Sequence, residues 1–262
     1  MVHFISLSSG SNGNCYYIGN GEKGFLIDVG IGGRSIKKRL LQNGISIDSI
    51  MMVLVSHDHF DHIRSLGTFT ERFKKPVYAT AEVIRALETH FCTAGYTRGY
   101  THAIVPGQTT QIDGVSVTPF RVPHDATDTV GYHIEFEGEK FTFMTDLGAP
   151  TDDAVHYASL ADHLVVEANY DVDMLVAGSY PQDLKMRIMQ GHGHLSNDEM
   201  ATLLRRSWHP GLKDIYLCHL SENNNTPSRA MRAASDALRE TGAEGTSLHY
   251  LPRRDASELF EW

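Results

Sequence analysis

Cysteine is scarce in this chain. Cys15, Cys92 and Cys218 are odd in number and show no Cys-x-x-Cys spacing. That excludes a disulfide framework and a thiolate-cluster metal site, and leaves free thiols in a reducing cytoplasm as the expectation. No stretch approaches the ~20 consecutive apolar residues that a membrane span needs. The opening Met-Val-His-Phe-Ile-Ser-Leu has no basic segment ahead of an apolar one, so no signal peptide is expected. Basic residues are outnumbered, with 23 Lys and Arg against 32 Asp and Glu and a formal net charge of −9. Broad, non-specific nucleic-acid binding through a basic surface is therefore disfavoured, although a site that grips one phosphodiester through metal ions is not. There is no short internal repeat, no low-complexity tract and no Pro-rich linker. A single domain over residues 1–262 is the expectation.

Histidine, by contrast, is abundant at 15 residues. His57-Asp58-His59-Phe60-Asp61-His62 follows directly on the apolar run Met51 to Val55. Imidazole and carboxylate are ligands that Zn, Mn and Fe accept, and a hydrophobic strand feeding such a cluster predicts a metal site at the end of a sheet. His57 and His59, two apart in extended chain, point to one side and can reach one ion. Asp61 and His62 are predicted at a helix start, turned toward a second ion, where a carboxylate is also favoured.

Alternating β-rich and helical segments fill the rest. Strands are predicted at 4–7, 16–18, 25–29, 51–56, 115–122, 132–136, 140–145, 163–167 and 215–218. Helices are predicted at 33–43, 63–73, 81–91, 152–159, 197–208 and 228–240. Ser196 and Glu199 fit a capping box at the start of the fifth helix. The elements recur in two successive blocks, which fits α/β sheets covered by helices. His124, Asp146 and His219 each follow an apolar strand closely, as ligands at a sheet end would. Asp28 sits the same way, and a buried group that orients a ligand is the expectation for it.

The series His57-x-His59-x-Asp61-His62, then His124, Asp146 and His219, resembles the metallo-β-lactamase superfamily over nearly the whole chain. The resemblance implies an αββα sandwich of two mixed sheets with helices on both outer faces. It also implies two divalent metal ions (Zn, Mn or Fe): His57, His59 and His124 on the first, Asp61, His62 and His219 on the second, Asp146 bridging. Two such ions about 3.5–4 Å apart stabilise a bridging hydroxide at neutral pH, a hydrolytic device. Redox relatives carry Glu where this chain has His59, which argues against diiron redox chemistry.

Two further segments bear on the bond cut. Glu167 ends the apolar run Val165-Val166, and His194 lies in His192-Gly-His-Leu-Ser196. The phosphodiesterase branch of the superfamily has a similar pair, in which the His protonates the leaving oxygen and the Glu orients it. A carboxylate beside an imidazole raises its pKa and suits it to that task. His192 carries no expected role. The segments at 9–15, 193–197 and 219–224 resemble the YycJ/WalJ-type subgroup, which implies a bacterial cytoplasmic hydrolase with exonuclease activity on DNA. Asp146 and Glu167 are only 21 positions apart, too close for the large nucleic-acid-binding insertion of RNA-cleaving relatives. The expectation is thus a metal-dependent phosphodiesterase, a DNA exonuclease, with DNA (or RNA) as partner and no membrane. The catalytic set would be His194, Glu167 and Asp146. A glyoxalase II-type thioester or lactone hydrolase and a non-catalytic metal-loaded binding module are the alternatives. Asn12, Asn14, Asn223 and Asn224 read as phosphate donors or loop-shaping side chains. Arg64, Arg205, Arg206, Arg229 and Arg232 read as backbone contacts or, for most, a solvated helix face.

Overall fold

The computed structural model describes all residues, Met1 to Trp262. In chain order the first elements are β1 (His3–Ser8), β2 (Cys15–Gly19), β3 (Gly24–Ile27), α1 (Gly33–Gln42), β4 (Ile50–Leu54), α2 (Phe60–Ile63), α3 (Leu66–Phe73), β5 (Val77–Ala79), α4 (Ala81–Thr89) and β6 (Thr101–Ala103). Then come β7 (Thr110–Ile112), β8 (Val115–Arg121), β9 (Val130–Phe136), β10 (Glu139–Met144), α5 (Asp152–Ala158), β11 (His163–Glu167), α6 (Val172–Ala177) and α7 (Gln182–Met189). The last are α8 (Asn197–Ser207), β12 (Asp214–Cys218), α9 (Pro227–Thr241), β13 (Ser247–Tyr250) and β14 (Phe260–Glu261). The chain divides into two compact units, one of Met1–Gln108, Ala126–Thr129 and Pro252–Trp262, the other of Thr109–Asp125 and Val130–Leu251.

The first unit holds a seven-stranded mixed sheet in the order β14-β1-β2-β3-β4-β5-β6. β1 to β3 form an antiparallel meander, and β3 to β6 run parallel. Burial on both faces explains why β4 reads as an unbroken apolar run rather than an alternating one. Ile36 and Leu40 of α1, Leu66 and Phe69 of α3 and Val83 and Leu87 of α4 pack with Leu26, Val53 and Val77 of the sheet. Gly13 lies at φ +142°, and a Cβ there would meet the Gly30 carbonyl oxygen at 2.5 Å, so the loop of residues 9–14 demands glycine at that point.

The second unit holds the other seven-stranded mixed sheet, ordered β13-β12-β11-β10-β9-β8-β7. β7 to β10 are antiparallel neighbours; β10 to β13 are parallel. Ala154 and Ala158 of α5, Met200, Leu203 and Leu204 of α8, and Ala230, Ala234 and Ala237 of α9 pack with Leu164, Val166, Ile215 and Leu217. The capping box of α8 forms in full, Ser196 accepting from the Glu199 amide and Glu199 from the Ser196 amide.

The differences from the sequence reading have local causes. The run 63–73 is not one helix: α2 ends at Ile63 and α3 begins at Leu66. Strands β5, β6 and β7 are three residues long and β14 two, too short to show a period; pairing with a longer neighbour fixes them. α6 and α7 were equally silent, short helices set by the Asp171 N-cap and by Pro181.

Candidate active site

In the first unit the parallel strands β3 and β4 deliver Asp28 and the pair Ser56 and His57 to one end of the sheet. Asp28 leaves β3 in the left-handed region at φ 59°, fully buried. It accepts from the Ser56 amide at 2.8 Å on Oδ1, and from the Ser56 hydroxyl and His62 Nδ1 at 2.7 Å each on Oδ2. The Ser56 hydroxyl, its proton committed to Asp28, accepts from His57 Nδ1 at 2.9 Å. These bonds place the protons on Nδ1 of both imidazoles, so the lone pairs sit on Nε2. An N–H donor, Asn14 Nδ2, meets His62 Nε2 at 2.9 Å in agreement with that tautomer. The same Asn14 amide donates to Asp61 Oδ2 at 3.2 Å.

His59 is the N-cap of α2, which puts Asp61 and His62 in its first turn as the spacing predicted. The His57 ring lies 4.1 Å from that of His62 and 4.8 Å from that of His59, centroid to centroid. Gly30 admits this approach: a Cβ there would meet the Asp61 carbonyl oxygen at 1.7 Å. The donors offered are therefore three imidazole nitrogens and a carboxylate, a mixed N/O set suited to a borderline divalent cation.

In the second unit the parallel registers Met144↔Val166 and Glu167↔Cys218 bring three strand ends level. Asp146 (φ 52°) and His219 (φ 53°) turn out of β10 and β12 through left-handed residues. Asp and His are among the few non-glycine residues that adopt that conformation, and such sparsely populated backbone gathers where a side chain must be aimed. Asp146, Glu167, His194 and His219 each offer a donor atom within 4.8 Å of one another. His124 donates from Nδ1 to the Gly193 carbonyl at 2.6 Å, which turns its Nε2 to within 3.6 Å of Asp146 Oδ1. Gly193 is required there, since a Cβ would meet the Arg187 and Ile188 carbonyl oxygens at 2.6 Å.

Glu167 is the hub of this cluster. Oε1 accepts from His194 Nδ1 at 2.8 Å and from His219 Nδ1 at 2.9 Å. Oε2 accepts from the Leu147 amide at 2.9 Å and the Leu195 amide at 3.0 Å. Burial pushes its carboxyl pKa up, but the charge on His194 and the bonds from both imidazoles outweigh that, and the net shift is down. For His194 burial pushes down, and the Glu167 carboxylate, its hydrogen bond and Asp146 carry the net shift up. Both shifts favour the proton on the imidazole of His194, whose side chain is 24% exposed, over the fully buried Glu167. His219, with Nδ1 engaged by Glu167, carries its lone pair on Nε2.

Several side chains were not singled out by sequence. Ser56 sets the His57 tautomer, the Gly193 carbonyl sets that of His124, and Asn169 donates to the His219 carbonyl at 2.9 Å. Asn14 is buried and orients Asp61 and His62 rather than facing a phosphate. Asn224 is buried, and Asn223 donates to Tyr180 at 3.3 Å. Arg205, Arg206 and Arg229 are tied to Glu240, Asp152 and Asp171 on the surface. His192 is exposed and holds nothing.

Two ligand-bearing clusters at strand ends, on sheets flanked by helices, define a metal-dependent hydrolase. The model of the "Beta-lactamase superfamily domain" matches residues 24–212, and the chain belongs to the metallo-β-lactamase superfamily. Within it, the chain is 32% identical to the Exodeoxyribonuclease YycJ of Bacillus anthracis, over 92% of this chain and 90% of that one. It is also 32% identical to the Exodeoxyribonuclease WalJ of Streptococcus pneumoniae serotype 2, over 84% and 81% of the two chains. The crystal structure of the metallo-β-lactamase fold protein YhfI from Bacillus subtilis superposes with a TM-score of 0.70 at 16% identity, covering 98% of each chain. The thiols Cys15, Cys92 and Cys218 are unpaired, and no helix is long and apolar enough to cross a membrane.

Proposed function

We propose that the chain is a dinuclear-metal phosphodiesterase, a cytoplasmic exonuclease acting on DNA. The observation that carries this is the His194–Glu167 pair, held at 2.8 Å with both Glu167 oxygens saturated by four donors. A departing alkoxide needs a proton, and an imidazole whose pKa is raised by a fixed carboxylate is built to give one. A thioester hydrolase, whose thiolate leaves without help, has less use for it.

The proposed ligands are His57, His59, Asp61 and His62 from the first unit and His124, Asp146 and His219 from the second, with Asp146 shared. Bound divalent ions would activate water and share the charge that develops on the phosphate oxygens. The chain's own residues do the rest. Asp28 and Ser56 hold His62 and His57 with Nε2 lone pairs presented. Glu167 holds His219 likewise, and raises the pKa of His194 and aims it. The names of the YycJ and WalJ relatives support DNA as the substrate.

The test is Mn²⁺-loaded protein incubated with end-labelled double-stranded DNA, single-stranded DNA and RNA, beside a His194→Ala variant and a chelator control. Mononucleotide release that needs both the metal and His194 is expected. No cleavage of any polymer by protein with metal bound would overturn the reading and move the search to small esters and thioesters.

A further inference from the structure

We propose that Phe60 and Phe91 form a stacking platform for an unpaired nucleobase beside the first-unit metal motif, with Arg64 taking the adjoining phosphate. This rests on the nucleic-acid reading above and deepens it. Phe60 lies between the motif residues His59 and Asp61 in α2 and is 45% exposed; Phe91, after α4, is 76% exposed. Their rings stack on each other with centroids 5.5 Å apart and planes 26° from parallel. A Phe ring left largely in water forgoes its burial energy, and two such rings paired at the surface call for a function. His90 extends the aromatic surface at 4.6 Å from the Phe91 ring.

The platform is built rather than loose. The loop that carries Phe91 is clamped to the neighbouring helices. Thr93 Oγ1 donates to the Leu87 carbonyl at 2.6 Å, and Cys92 Sγ donates to the Ile63 carbonyl at 3.4 Å. Gly67 of α3 lets the loop in, since a Cβ there would meet the Cys92 carbonyl oxygen at 2.3 Å. Phe60 is fixed by its place in the first turn of α2.

Charge selects the occupant. Arg64 is exposed and makes no ion pair; its guanidinium stands 5.9 Å from the Phe60 ring centroid. On a chain of net charge −9, where Arg205, Arg206 and Arg229 are each paired to a carboxylate, Arg64 stands beside two exposed aromatic rings without a carboxylate partner. A nucleotide offers both complements, a base to stack and a phosphate for the guanidinium. An apolar peptide would bury Arg64 without an anion. Only an unpaired base can enter, so the platform favours single strands or frayed ends.

The experiment compares a 12-mer of thymidylate with an abasic strand of equal length and charge, by fluorescence anisotropy on metal-loaded protein in the His194→Ala background. The thymidylate is expected to bind roughly 10- to 100-fold tighter than the abasic strand, from stacking. Phe91→Ala is expected to erase most of that preference and Phe91→Trp to restore it, with Trp emission quenched on binding. Arg64→Gln is expected to weaken both strands alike and to flatten the salt dependence by about one unit of slope. In turnover, Phe91→Ala is expected to lose at least tenfold more kcat/KM on the oligonucleotide than on bis(p-nitrophenyl) phosphate, chiefly through KM. Equal binding of the two strands by the parent protein, or a preference unchanged in Phe91→Ala, overturns the platform while the nuclease reading stands. If no nucleic acid is bound or cut, both fall. A dimer in sedimentation that Phe91→Ala dissociates assigns the rings to a second copy of the chain instead.

Discussion

Asn at position 28 is the most informative single change. Asp28 accepts three hydrogen bonds with no water in reach, and Asn offers one acceptor oxygen and an NH₂ in the same volume. With the amide oxygen toward Ser56 Oγ and His62, the NH₂ faces the Ser56 amide donor and leaves it unsatisfied, at a cost of about 1–3 kcal/mol. With the amide reversed, the NH₂ faces His62 Nδ1 and drives the ring to the other tautomer, which removes the lone pair from Nε2. Losing the charge-assisted character of the remaining bonds adds to either. A net destabilisation of about 2–3 kcal/mol follows, or roughly 4–12 °C in Tm for a chain of this size. Metal affinity is expected to fall about 10- to 100-fold, as when a ligand loses the group that orients it. Backbone strain does not confuse the result, because Asn tolerates the φ of 59° as well as Asp does. Thermal unfolding in excess chelator reads the first effect, and competition with a chromophoric chelator reads the second. A metal-free Tm within about 1 °C of the parent, together with an affinity within about twofold, would refute the argument.

Three other outcomes are expected. His194→Ala should keep its metal, measured by elemental analysis, and lose about 10²- to 10⁴-fold in kcat on substrates with alkoxide leaving groups; loss of metal from it would make His194 structural. Chelation should lower Tm and graded Mn²⁺ or Zn²⁺ should restore it, by about 2.7 kcal/mol at 100 times Kd; a metal-independent Tm would argue against a resident ion. His133 is buried and donates to Thr142 at 2.9 Å, and burial holds its pKa below the usual imidazole value. Its contribution to stability is thus present above the unfolded imidazole pKa of about 6.5 and drains as pH falls through the lower folded value. Unfolding free energy measured between about pH 7 and 5 should therefore slope less in His133→Gln than in the parent, and equal slopes would exclude His133 as the source.

The sequence by itself carried the family and the hydrolase class, and it supplied the proposed ligands. The reason is that His57-x-His59-x-Asp61-His62 is local: its spacing alone decides which side chains share a side of an extended segment and a helix turn. The apolar runs ahead of Asp146 and His219 were legible for the same reason, and so was the Ser196–Glu199 capping box. The registers that level β10, β11 and β12 were not, because strand pairing joins residues far apart in sequence and has no spacing signal. Those registers decide that one carboxylate, Glu167, serves both His194 and His219. Tertiary structure alone also turned Asn14 from a candidate phosphate donor into the buried amide that orients Asp61. It showed as well that Phe60, silent inside the motif, meets Phe91 at the surface. Ligand chemistry is written in residue type and short spacing; tautomers, proton positions and exposed faces are set by partners that only the folded chain brings together.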